Sequence, residues 1–192
     1  MKYGLVLVEP PVSEPVTLAQ QKVHARIARD DEDSLVNGYL RAARLYAETF
    51  QRRQLLTATW RLTLDAFPAC ITLPLPPLQT VDSITYVDAD GATQTLAPAA
   101  YLVDSSREPG RIVPAYGQCW PRTRCQPNAV SVTFTAGYGA LPTDVPETTR
   151  QAIKLLAGHY YENRESATAQ SLSDIPLGVE SLLSVERWGG AL

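Results

Sequence analysis

Apolar positions along this chain change their period twice, and the changes divide it into parts. The first part is helical. Thr17-Leu18-Ala19-Gln20 has the form of a capping box, in which the threonine hydroxyl accepts from the backbone N–H at the glutamine and the glutamine reaches back. Ala19, Val23 and Ile27 then recur every four residues as one narrow apolar stripe. Asp30-Asp31-Glu32-Asp33 interrupts the stripe, and carboxylates there suit the positive end of a second helix. That helix is predicted from about Ser34 to Gln51. Its buried face is Val36, Tyr39, Leu40, Ala43, Ala47 and Phe50, with Arg41, Arg44, Glu48 and Arg52 largely outside it.

From about Leu56 to Ala136 the period falls to two. Trp60, Leu62 and Leu64 alternate with Thr59, Arg61 and Thr63, and Val130, Val132 and Phe134 alternate with Ser131, Thr133 and Thr135. Such alternation predicts strands with one wet face. Shorter β-rich runs lie between them, at 71–73, 83–87, 93–96, 101–103 and 111–113, and Asp90-Gly91 marks a hairpin tip. The reading is a small antiparallel sheet inserted between helices.

Helical spacing returns after Asp144-Val145-Pro146-Glu147, where proline is tolerated in a first turn. Thr149, Ala152, Ile153, Leu156, Ala157 and Tyr160 form the stripe, and Gly158 within it costs about 1 kcal/mol against alanine unless a close helix contact offsets it. Two long stripes of this kind are expected to bury against each other. Residues 166–173 then have linker composition. Beyond them Ile175, Leu177, Val179, Leu182, Leu183, Val185 and Trp188 restore apolar character. This segment either folds back on its own sheet or serves as a linear motif for a partner, by added strand pairing or as a helix in a groove. The expected class is α+β: mainly a helical bundle (1–55 with 141–165), an inserted β lobe (56–140), and a linker with an extended docking tail (166–192).

Composition narrows the function. Hydrophobic residues are 45% of the 192, so a core is available, and 11 of the 15 prolines fall between residues 68 and 146, where strands and turns are predicted. A formal net charge of -3 argues against a dedicated grip on phosphates. Arg26, Arg29, Arg41, Arg44, Arg52 and Arg53 nevertheless gather in the first helical part, as a solvated face or as the lining of a DNA channel. Cys70, Cys119 and Cys125 form neither a disulfide framework nor a zinc spacing, and His24 and His159 belong to different helices. The acidic run 30–33 lacks the alternation and glycine of a calcium loop. Gly137-Tyr138-Gly139 lacks the third glycine of a phosphate loop. No glycine-flanked serine elbow is present. The expectation is no enzyme, no metal and no cofactor. The N-terminal apolar run is too short for a signal peptide and no later stretch spans a membrane, so a soluble protein made in the cytoplasm is expected.

An ordered series of short pieces carries a resemblance. It runs through Pro15-Val16-Thr17-Leu18-Ala19-Gln20-Gln21-Lys22-Val23, Asp30-Asp31, Ala42-Ala43-Arg44, Thr59-Trp60-Arg61-Leu62, Leu73-Pro74, Val81-Asp82-Ser83-Ile84, Asp90-Gly91, Trp120-Pro121, Ala136-Gly137-Tyr138-Gly139 and His159-Tyr160-Tyr161-Glu162. Over residues 15–188 the series resembles the head–tail connector (adaptor, or head-completion) family of long-tailed phages, with Ala25 standing where that family usually has leucine. The resemblance implies a structural virion protein of the neck, assembled in the host cytoplasm. It implies a ring of copies, typically a dodecamer, that binds the portal protein, presents a platform to a stopper or tail-completion protein, and extends a channel through which DNA passes without sequence-specific contact. On that expectation Ile175, Leu177, Val179, Leu182, Leu183 and Trp188 contact a partner, and Arg41, Arg44 and Arg52 are candidates to face the channel. Another neck protein, a stopper or tail terminator, is the alternative, and a sugar-binding or other small-molecule module is a further one.

Overall fold

Alternating strands at 58–64 and 130–136 zip together in register, Leu62 opposite Val132 and Trp60 opposite Phe134, and the rest of the β-rich region is built on that pair. A computed structural model describes residues 3–164 and 177–189. The chain divides into two units. One is made of the N-terminal strand with Thr57–Tyr138, and the other of Val12–Leu56 with the chain from Gly139 onward.

The first unit holds eight strands: β1 (Gly4–Glu9), β2 (Ala58–Leu64), β3 (Ile71–Thr72), β4 (Leu78–Val87), β5 (Thr93–Thr95), β6 (Tyr101–Asp104), β7 (Arg111–Pro114) and β8 (Val130–Ala136). Five form an antiparallel sheet in the order β1-β2-β8-β4-β5, and three form a second in the order β3-β7-β6. Side chains alternate across a strand. Leu62, Leu64, Ile84, Val130, Val132 and Phe134 of the larger sheet therefore join Ile71, Tyr101 and Ile112 of the smaller one in a single buried cluster. The other face of the larger sheet carries Arg61, Thr63, Ser131, Thr133 and Thr135. At the β4–β5 tip, the Asp88 carboxylate accepts from the backbone N–H of Asp90 (3.0 Å) and Ala92 (2.9 Å), and Gly91 adopts φ +91°. The hairpin predicted at Asp90-Gly91 is thus built from a side chain as well as a glycine.

The second unit contains α1 (Leu18–Ala25), α2 (Asp33–Gln51), α3 (Glu147–Glu162) and α4 (Leu177–Ser184). The capping box is present: Gln20 N donates to Thr17 Oγ1 and Thr17 N to Gln20 Oε1, each at 3.2 Å. Val36, Leu40, Ala43 and Ala47 of α2 are buried with Ala152, Ile153, Leu156 and Ala157 of α3. Gly139 admits the Asp144 carboxylate, which accepts from Leu141 N at 2.8 Å where the chain turns toward α3. A Cβ on Gly139 would lie 2.1 Å from that carboxylate, so the turn requires glycine here.

Three expectations are corrected here. The chain is α+β but not mainly helical, since among the described residues helix takes 32% and strand 27%. Residues 4–9 belong to the β unit, because Leu5, Val6 and Leu7 pair with β2. The stripe Ala19–Val23–Ile27 is not the buried face of α1. Val23 is 81% exposed and Ala19 is exposed, whereas Gln21 is fully buried, its Nε2 donating to the Lys154 carbonyl at 3.2 Å. The helix ends at Ala25 with Arg26 in a left-handed conformation (φ 55°), so Ile27 is not in phase with Val23.

Candidate interaction surfaces

The C-terminal segment is the first surface to place. Ile175 lies outside the described residues, and of Leu177 the structure gives only its backbone, at the start of α4. Val179 and Leu183 are buried in their own unit, while Leu182 and Trp188 are half-buried and Val185 is exposed. A tail docking away from its parent core is therefore corrected for Val179 and Leu183: α4 packs on α2 and α3 of its own unit.

Polar contacts to the end of α2 hold this segment. Gln51 is fully buried, and its Nε2 donates to Thr149 Oγ1 on α3 and to the Leu183 carbonyl on α4, both at 3.0 Å. Trp188 N donates to the Gln51 carbonyl at 3.0 Å. The Arg53 guanidinium donates to the Glu186 carbonyl, and Arg187 lies 4.9 Å from the centroid of the Phe50 ring. Tyr46 donates to Glu180 at 3.4 Å. One buried amide thus ties three helices together, and removing it leaves a buried carbonyl without its donor.

The arginines separate into different roles. Arg41 and Arg52 are exposed, and Arg52 closes α2 with φ 55°. Arg44 is buried, its Nε donating to Glu14 at 2.7 Å and its Nη1 to Glu48 at 2.8 Å. It neutralises carboxylates inside its own unit. Burial pushes the Glu48 carboxyl up, and the Arg44 charge and the Leu55 N–H only partly counter it. Burial works against the Arg44 charge as well, and the two carboxylates outweigh it. Position could have shown this. At about 100° per residue, Gln51 and Arg44 lie roughly 60° and 80° around the helix from Val36, beside Leu40 at about 40°. Both polar residues therefore continue the apolar stripe.

The acidic run at 30–33 is distributed between ion pairs. Lys22 Nζ meets Asp30 at 2.5 Å and Asp33 at 2.6 Å. Glu32 accepts from the Tyr161 hydroxyl at 2.5 Å and from Arg164 at 2.7 Å. The Tyr161 hydrogen bond, followed by that of Arg164, holds the Glu32 carboxyl below its ordinary value. These contacts pin the end of α3 to the start of α2. Among the described residues no group of His, Cys, Asp and Glu is placed to hold a metal ion, and the cysteines form no disulfide. His24 borders a shallow depression with Ala19, Val23 and Lys154, whereas His159 contacts Asn163. No helix among the described residues is long and apolar enough to cross a membrane.

A family model described as phage gp6-like head–tail connector protein matches residues 15–87. A chain in the neck of an empty gene transfer agent (GTA) particle, computed with C6 symmetry, is 31% identical, with a TM-score of 0.80 and coverage of 98% of this chain and 97% of that one. A chain in the neck of the native particle, computed with C12 symmetry, is 30% identical, with a TM-score of 0.76 and coverage of 100% and 98%. A chain of the native GTA virion is 29% identical, with a TM-score of 0.80 and coverage of 98% and 97%. No curated protein matches the chain. Family match and full-length structural likeness to neck subunits agree, and the chain belongs to the phage head–tail connector family, structural proteins of the particle neck.

Proposed function

We propose that this chain is a ring-forming adaptor, without catalytic activity, that seats on a portal protein and carries the next neck or tail-completion protein while DNA passes through its channel. The observation that carries this is the likeness, over essentially the whole chain, to a neck subunit computed with C12 symmetry. That symmetry supports a ring of twelve copies. Arg41 and Arg52, exposed on and beside α2, remain available to line the channel. The C-terminal segment contributes to the portal contact through the faces that α4 and its flanks leave uncovered, with Leu182, Val185 and Trp188 foremost and Ile175 and Leu177 adjoining them in sequence. Buried apolar area repeated around a ring supplies affinity through multiplicity.

The test is reconstitution. Purified protein is added to DNA-filled heads that carry a portal but lack this subunit, and the particles are imaged by electron microscopy. A ring of twelve copies below the portal is expected. Density confined to the tail tube, or none at the neck, would overturn the reading.

A further inference from the structure

Strand edges in the β unit differ sharply in their side chains. β5, one edge of the larger sheet, is three polar residues, Thr93-Gln94-Thr95. β1, the opposite edge, is six residues long and carries no charge from Gly4 to Val8. Tyr3, Val6, Leu7 and Val8 are exposed, Val6 at 56%. Alternation puts Leu5 and Leu7 on the core side of the sheet and Val6 on the side of Arg61, so the edge is apolar on both faces. Natural edges are blunted by lysine, proline or extreme shortness, and an apolar, uncharged edge of this length is a template for another strand. At one end it is limited by the irregularity between Leu7 and Glu9, by the Glu9 charge and by Pro10-Pro11. The smaller sheet has another open edge, the four-residue β6, where adjacent Leu102 (56%) and Val103 are exposed and the terminal Asp104 pairs with Arg111.

Two unlike open edges are what a cyclic assembly requires. Rings are closed by heterologous contacts, in which each subunit offers two different patches, one to each neighbour. We propose that the β1 edge of one copy pairs with the β6 edge of the next copy around the ring. This inference rests on the ring reading above. Backbone N–H and carbonyl groups left open on each edge satisfy one another, and Val6 and Leu7 are covered together with the neighbour's equivalents of Leu102 and Val103. The occupant is a second copy because the C12 symmetry of the neck whose subunit this chain resembles sets another copy on each side of every subunit.

The experiment uses the full chain in three charged variants: Val6→Lys with Leu7→Lys, Leu102→Lys, and Val12→Lys as a control at an exposed site outside the β unit. Assembly is followed by mass photometry and negative-stain microscopy, alone and on portal-bearing heads. Circular dichroism checks folding, which should be unchanged because all four positions are exposed. Both edge variants should lose rings, with subunit affinity at least tenfold weaker, roughly the effect of a charge left unpaired at an interface, while Val12→Lys keeps them. Mixing the two edge variants should give a one-to-one dimer that cannot grow, since each retains the edge the other lacks. Rings formed by either edge variant at wild-type concentration, or a mixture that stays monomeric, would overturn the edge assignment alone. Absence of rings from the wild type on portal-bearing heads would instead remove the ring reading beneath it.

Discussion

Arg41 and Arg44 sit three positions apart on α2 and meet opposite fates, one in solvent and one between Glu14 and Glu48. Their chemistry is identical, so composition could not separate them; angular position relative to Val36 and Leu40 does. Glu32 shows the same dependence on surroundings. Its carboxyl is held down by the Tyr161 hydroxyl and then by Arg164. A carboxylate with a depressed folded value adds stability above the unfolded value of 4.5 and loses it as pH falls through the folded one. Glu32→Gln should therefore lower the melting temperature at neutral pH and flatten its decline between about pH 5 and pH 3. The pair is partly exposed, so the difference should shrink in high salt. Calorimetry across that pH range decides, and an unchanged slope in the variant would contradict the assignment.

Elements follow local rules until a side chain must choose a face. The cap at Thr17 and the stripes of α2 and α3 form as their spacing dictates. Residue α1 positions Ala19 and Val23 do not, because the helix buries the face bearing Gln21 toward α3. Gly158 is a further case. A close helix approach would justify it, yet a Cβ there would meet only Gln21 Nε2, at 3.8 Å, an ordinary contact. Gly158→Ala should therefore stabilise the chain by about 0.5–1 kcal/mol through helix propensity. A chemical-denaturation midpoint that moves downward would show a constraint on this glycine that the folded unit does not display.

At the scale of the whole molecule, α4 is structure as well as surface. Deleting residues 175–192 as a detachable tail would leave the rest of the chain unaffected. With Val179 and Leu183 buried and Gln51 donating to the Leu183 carbonyl, the same truncation should cost stability. Each fully buried Val or Leu side chain contributes about 1.5–3 kcal/mol, offset in part by the entropy of ordering one short helix. A net loss of about 2–4 kcal/mol is expected by denaturant unfolding. An unchanged midpoint would mean that α4 detaches freely in solution. Portal binding by the truncated chain has to be judged against that loss, with Leu182 and Trp188 substitutions separating contact from folding.

Period and punctuation determined much of this protein from sequence alone. The alternation at 58–64 and 130–136 leaves one dry face, the 3.6-residue spacing at 36–47 and 149–157 leaves one dry stripe, and glycine and proline mark the changes between them. These are local consequences of where apolar side chains point along a strand or helix, so they need no knowledge of the partner surface. The resemblance to a connector was legible for the same reason, since it lies in the order of such pieces. Only tertiary structure decided that residues 4–9 add a strand to a sheet begun fifty residues later, that Gln21 is interior, and that α4 lies on α2 and α3. Each depends on a hydrogen-bond or apolar partner distant in sequence, and a polar side chain is buried or exposed according to whether that partner is in reach.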